Sequence, residues 1–163
     1  MNKLIKLFKK YSLNKNGLIL NVSDVKQLNE LINKKYKLSI ITDDINKYNE
    51  YKYMNVISNS VFNIRVDRNE FDVVCFDKLL EYYSDKDILK ILKSSISAGE
   101  AVLFDVPVFK LFKNNNQGEI RYLKRDYWIT LFNKLNTVII EEVTYKKGLF
   151  EKHKIFVIRK KII

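Results

Sequence analysis

Phe71-Asp72-Val73-Val74-Cys75-Phe76-Asp77 is a strand-length run that is apolar nearly throughout and closes on an acid. A half-exposed strand alternates apolar and polar residues, so this one predicts burial on both faces, as in a parallel sheet with helices above and below it. Upstream, Gly17-Leu18-Ile19-Leu20-Asn21-Val22, Lys37-Leu38-Ser39-Ile40-Ile41-Thr42 and Met54-Asn55-Val56-Ile57-Ser58 read as first, second and third strands. Downstream, Lys78 to Ser97 reads as a helix in two pieces, with Ser84 as N-cap and Gly99 as C-cap. Glu100-Ala101-Val102-Leu103-Phe104-Asp105-Val106 follows as a fifth strand, stopped by Pro107.

Helical spacing fills the gaps. Leu4, Ile5, Phe8 and Tyr11 form an apolar stripe expected to lid the sheet or pack on its edge. Val25, Leu28, Leu31 and Ile32 form another behind Ser23 as N-cap, and a later helix carries Tyr127, Trp128, Leu131, Phe132 and Leu135. The segments 137–144 and 153–159 are joined by a turn near Lys147-Gly148, without room for a crossover helix, so they pair as an antiparallel hairpin. The expected fold class is α/β: a doubly wound, mostly parallel seven-stranded sheet with a C-terminal antiparallel hairpin and helices on both faces. One domain over 1–163 is expected, with an N-terminal helix at 1–13 and the sheet core at 17–163.

Composition bounds the partners. At 47% apolar residues the chain can bury a substantial core, and its apolar runs fall short of the roughly 18 residues a membrane helix needs. Lysines interrupt the basic start Met1–Lys10 at helical spacing, which argues against a signal peptide and for a cytoplasmic protein. Cys75 is the sole cysteine, so no intramolecular disulfide forms and a buried thiol is expected. A net charge of +11 invites a nucleic-acid partner, yet the lysines are spread along the chain amid abundant Asn, Ile and Tyr, a pattern that base composition alone produces.

Residues able to do chemistry cluster at strand ends. Asp77 and Asp105 close the fourth and fifth strands on the expected cleft, where they either orient or deprotonate a substrate or simply cap loops. Asp43 and Asp44, after the second strand, suit either a helix cap or a ligand hydroxyl. Tyr82, Tyr83, Tyr122, Tyr127 and Trp128 are either core or pocket wall. The lone histidine, His153, has no Cys or His partner at ligand spacing, so no metal site is expected; no P-loop or nucleophile triad is present.

The order of elements, the acid after the second strand, Phe71-Asp72-Val73-Val74 and the run through Ser84-Asp85, and Gly99 before Val102-Leu103-Phe104 together resemble the class I S-adenosylmethionine-dependent methyltransferases. That resemblance implies S-adenosylmethionine as cofactor, bound across the carboxyl ends of the first strands. By position it places the methionine end at Asn21 to Val25, with Asn21 and Ser23 as contacts. The ribose then falls to Asp43 or Asp44 and the adenine to Asn59 or Ser60. The chain departs from the family at the first of these, because 21–25 holds no glycine where close backbone approach is wanted, and Asp24 stands among the expected contacts.

Three functions follow as expectations. The first is methyl transfer to an unidentified O, N or C acceptor, and cofactor binding is its mark. The altered loop points to a second, a catalytically inactive scaffold or regulatory protein with a protein partner. The lysine surface points to a third, an RNA-associated protein whose binding would weaken steeply with salt.

Overall fold

The computed structural model describes residues 3–21, 26–41, 54–57, 60–110, 120–149 and 151–162. In chain order they form α1 (Lys3–Tyr11), β1 (Asn16–Asn21), α2 (Lys26–Asn33), β2 (Lys37–Ile41), β3 (Met54–Ile57) and β4 (Phe71–Asp77). A 3-10 turn (Leu80–Tyr82), α3 (Asp85–Ala98), β5 (Gly99–Lys110), α4 (Arg125–Lys134), β6 (Thr137–Lys147) and β7 (Glu151–Lys160) complete them. Among the described residues the strands make one sheet in the order β3-β2-β1-β4-β5-β7-β6. From β3 to β5 every pairing is parallel, whereas β7 runs antiparallel to both β5 and β6.

Burial follows from apolar content on both faces of the central strands. All of β4 is buried, and from Val73 to Phe76 its alternate residues feed different cores. Val73 and Cys75 join Ile19, Leu103 and Val157 beneath α1 and α2, whose Leu4, Ile5, Phe8, Leu28 and Leu31 seal that side. Val74 and Phe76 join Val102, Phe104, Phe156 and Ile158 beneath α3 and α4, where Phe104 touches the rings of Phe76, Trp128, Phe132 and Phe156. Cys75 is buried as expected, and burial, aided by Asp77 and Asp105, pushes its thiol well above the usual range.

Local chemistry sets the element ends. Ser84 caps α3, its Oγ accepting from the Asp87 N–H at 3.3 Å. Gly99 does close α3, but its φ of −132° is extended, so left-handed geometry is not the reason for glycine there. A Cβ at Gly99 would stand 2.8 Å from Val74 Cγ2, so close strand approach is. Pro107 does not stop β5, which continues to Lys110. The β4 pairing has ended at Asp105, so Pro107 has only β7 beside it and precedes a register shift, a setting that tolerates a missing N–H.

Asp72, at the buried start of β4, accepts from the Asn14 N–H at 2.7 Å, Asn14 Nδ2 at 2.8 Å and the Asn16 N–H at 3.2 Å, and so ties the α1–β1 turn to the sheet. Thus held, α1 covers a face of the sheet, and the tip of the Phe8 ring sits against Gly17. A Cβ on Gly17 would fall 2.1 Å from Phe8 Cζ. Gly17→Ala is therefore expected to destabilise the fold by about 1 to 3 kcal/mol in urea unfolding. Adding Phe8→Leu should recover part of that loss, and equal midpoints for Gly17→Ala and the parent would contradict the packing described.

Candidate functional site

The strand order reverses direction between β1 and β4, because the chain builds outward to β2 and β3 first and only then returns. In open α/β sheets this switch point is where a crevice opens at the carboxyl ends of the strands. Asn21 stands there. Its Nδ2 donates to the carbonyls of Asp77 at 2.8 Å and Lys78 at 3.1 Å, clamping the end of β1 to the turn leaving β4. Lys78 has a φ of +48°, so the clamp holds a residue in a conformation that non-glycine residues enter at a cost of about 1 kcal/mol.

Asp77 and Asp105 are paired in register at this rim, and both are buried. Asp105 is fully engaged. One carboxylate oxygen accepts from the Tyr145 hydroxyl and the other meets His153 Nδ1 at 3.0 Å, while His153 Nε2 meets Glu151 Oε1 at 2.9 Å. The hairpin register sets Tyr145 opposite His153, which explains how a β6 and a β7 side chain reach the same carboxylate. Burial pulls the His153 pKa down, but bonds to carboxylates on both ring nitrogens prevail and raise it, because the doubly protonated ring alone can donate to both. Burial and the Asp105 bond push the Tyr145 phenol up, so it stays protonated.

Beside this chain a cavity of about 430 Å³ opens over the ends of β4, β5 and β7. Tyr82, Tyr122, Pro107 and Ile120 form apolar and aromatic walls. Lys78, Lys110 and Lys147 stand at its more exposed margin, and Glu81, Glu151 and His153 line its interior. The far wall is pinned by Arg121: its N–H donates to the Glu81 carbonyl at 2.9 Å and its guanidinium to the Tyr83 carbonyl at 2.7 Å and Asp85 Oδ1 at 2.5 Å. Glu81 is 3% exposed and its Oε2 has no hydrogen-bond partner among the described residues. Burial, with Asp105 and Asp77 nearby, pushes its pKa up to about 7.

The residues proposed from sequence divide accordingly. Asp77 and Asp105 meet at the rim, Asn21 bonds the backbone carbonyls of Asp77 and Lys78, and exposed Ser60 sits after β3, its Oγ accepting from the Phe62 N–H at 3.2 Å. Ser23, Asp43, Asp44 and Asn59 lie outside the described residues. Of the aromatics, Tyr82 and Tyr122 line the cavity, whereas Trp128 is core. Sequence reasoning missed Glu81, Tyr145 and Glu151 and set His153 aside as a failed metal ligand; among the described residues no metal-binding group of three acids, histidines or cysteines occurs. Two signals were present: an acid directly after Leu79-Leu80 at the exit of a buried strand, and the shared parity of His153 with buried Ile155 and Val157.

Glu81 carries a stability signature. Its folded pKa lies above the ordinary 4.5, so between about pH 4.5 and 7 the folded state keeps a proton that the unfolded chain has released, and stability falls as pH rises through that window. His153 adds to the fall, since a raised histidine stabilises below its unfolded value and loses that contribution as pH passes its folded one. At pH 8, Glu81→Gln is expected to be more stable than the parent by about 2 to 3 kcal/mol, with the two converging below pH 4.5. Parallel stability curves across that range would refute the assignment.

No protein-family model matches the chain, and no curated protein matches its sequence. Solved structures do. An S-adenosylmethionine-dependent methyltransferase from Leishmania major superposes with a TM-score of 0.71 over 96% of this chain and 70% of that one, at 15% identity. One from Methanosarcina mazei gives 0.73 over 94% and 96%, at 10% identity. The Burkholderia thailandensis 1,6-didemethyltoxoflavin N1-methyltransferase, solved with S-adenosylhomocysteine, gives 0.66 over 88% and 70%, at 9% identity. Shared topology at such identities establishes architecture: the chain has the α/β fold of the S-adenosylmethionine-dependent methyltransferases.

Proposed function

We propose that this protein is an S-adenosylmethionine-dependent methyltransferase whose acceptor enters the cavity between Tyr82 and Tyr122. The observation that carries the reading is the juxtaposition of a sheet switch point at β1 and β4 with a cavity over β4, β5 and β7 that is open to solvent, so that two ligands can meet at one rim. Two polar groups along the carboxyl ends of these strands support a nucleoside there. Ser60 is exposed after β3, and Asn21, though its amide nitrogen is committed to the sheet, keeps its carbonyl oxygen for a donor. By resemblance, Asp43 or Asp44 would hold the ribose hydroxyls, Asn59 or Ser60 the adenine, and Asn21 with Ser23 the methionine end.

When bound there, S-adenosylmethionine supplies an electrophilic methyl group on a sulfonium. The protein's part is proximity and orientation. Asp105 fixes the ring of His153 and the hydroxyl of Tyr145, making a rigid interior surface; with both of its oxygens engaged it orients the site and does not deprotonate the acceptor. Asp77 shapes the rim beside it.

The glycine-free stretch 21–25 favours the competing reading, a methyltransferase fold without catalysis. Thermal denaturation with S-adenosylmethionine or S-adenosylhomocysteine separates the two. At about 100 times the dissociation constant, ligand is expected to add roughly 2.7 kcal/mol of stability. Asp43→Ala should abolish the shift, whereas no response up to millimolar ligand would establish the inactive reading.

A further inference from the structure

Resting on the methyl-transfer reading, we propose that the acceptor is a small anionic aromatic molecule bearing a phenolic hydroxyl or aromatic N–H, and that Glu81 is the base that receives its proton. The walls argue for the ring: Tyr82 and Tyr122, with Pro107 and Ile120, offer flat and apolar surface to a cavity of about 430 Å³, enough for one small aromatic. The margin argues for the charge. Lys78, Lys110 and Lys147 converge there, and none has an ion-pair partner among the described residues.

The interior argues for the proton. Glu151, the other carboxylate lining the cavity, is bonded to His153, and both nitrogens of His153 face carboxylates, so neither is open to an acceptor. Glu81 alone among these brings a buried oxygen with no partner. A buried unsatisfied carboxylate oxygen is costly, and a hydroxyl or N–H donor from a ligand relieves that cost. Around Glu81 stand Asp77 and Asp105 from β4 and β5, His153 and Glu151 from β7, Tyr82 beside it, Tyr122 across from it, and the three lysines. Their sum, with burial, leaves its pKa near neutrality, where a general base works best.

The step balances. The acceptor O–H or N–H bond breaks and its proton passes to Glu81 Oε2. The freed electron pair forms the bond to the methyl carbon while the carbon–sulfur bond breaks, its pair remaining on a sulfur that becomes a neutral thioether. In the open site the proton then leaves to water.

The test uses the full chain with 4-hydroxybenzoate and 4-aminobenzoate as probes, against benzoate, which lacks the proton, and 4-hydroxybenzamide, which lacks the charge. By calorimetry the two probes should bind at least about tenfold tighter than either control. Lys110→Ala and Lys147→Ala should narrow the gap to 4-hydroxybenzamide, and four equal affinities would overturn the acceptor class. Carbon-13 detection of the glutamate carboxyls should show one midpoint near pH 7 that is missing in Glu81→Gln; a Glu81 titrating with ordinary carboxylates would overturn the base. With S-adenosylmethionine, transfer to a bound probe should fall about a hundredfold or more in Glu81→Gln and lose its acidic limb near pH 7. If S-adenosylhomocysteine binds but neither probe is methylated, the acceptor class fails alone; if S-adenosylhomocysteine does not bind, it is the methyl-transfer reading that fails.

Discussion

The described residues are arranged around a strand that is buried along its whole length. β4 is paired on both edges, by β1 and β5, and buried on both faces, so its backbone is satisfied only within the ladder and its side chains only beneath helices. That constraint forces the three layers. It also leaves the two ends of β4 as the places where polar groups can act. At the start, Asp72 gathers the backbone and side chain of the α1–β1 turn; at the finish, the carbonyls of Asp77 and Lys78 accept from Asn21. An acid at one end is structural, and the acid at the other, Asp77, lies on the rim of the crevice.

The C-terminal hairpin does more than widen the sheet. Inserting β7 between β5 and β6 reverses a strand beside the carboxyl end of β5 and so carries residues from the beginning of β7 to the same rim as residues from the end of β5. His153 thereby reaches Asp105, 48 positions away in sequence, and Glu151 reaches the other nitrogen of its ring. The result is a run of Tyr145, Asp105, His153 and Glu151 in which each group restricts the next, and which stiffens the interior of the cavity. Glu81 stands apart from that run. Its desolvation opposes folding once it ionises.

Part of the positive charge has local partners. Several lysines pair with surface acids, as Lys9 does with Glu30 and Lys10 with Glu141, and these fasten α1 to α2 and to β6. Lys78, Lys110 and Lys147 instead converge on the cavity margin. Among the described residues no helix is long and apolar enough to cross a membrane, and the apolar surface of α1 is turned into the sheet.

What the sequence determined by itself was what depends on near neighbours, namely the buried character of Val73 to Phe76, the Ser84 cap and the apolar stripe of α1, together with the element order from which the parallel run of β1, β4 and β5 follows. Period and capping are local, so they survive in a linear reading. It misjudged Pro107, because whether a missing N–H matters depends on which side of the strand still has a neighbour. It could not see that Gly17 makes room for Phe8, nor that Asn21 clamps β1 to β4. The site itself was decided by tertiary structure. Glu81, Tyr145, Glu151 and His153 are ordinary residues until strand order and register bring them to one rim and remove water from them, and desolvation and pairing across the sheet are not written in any single stretch of chain.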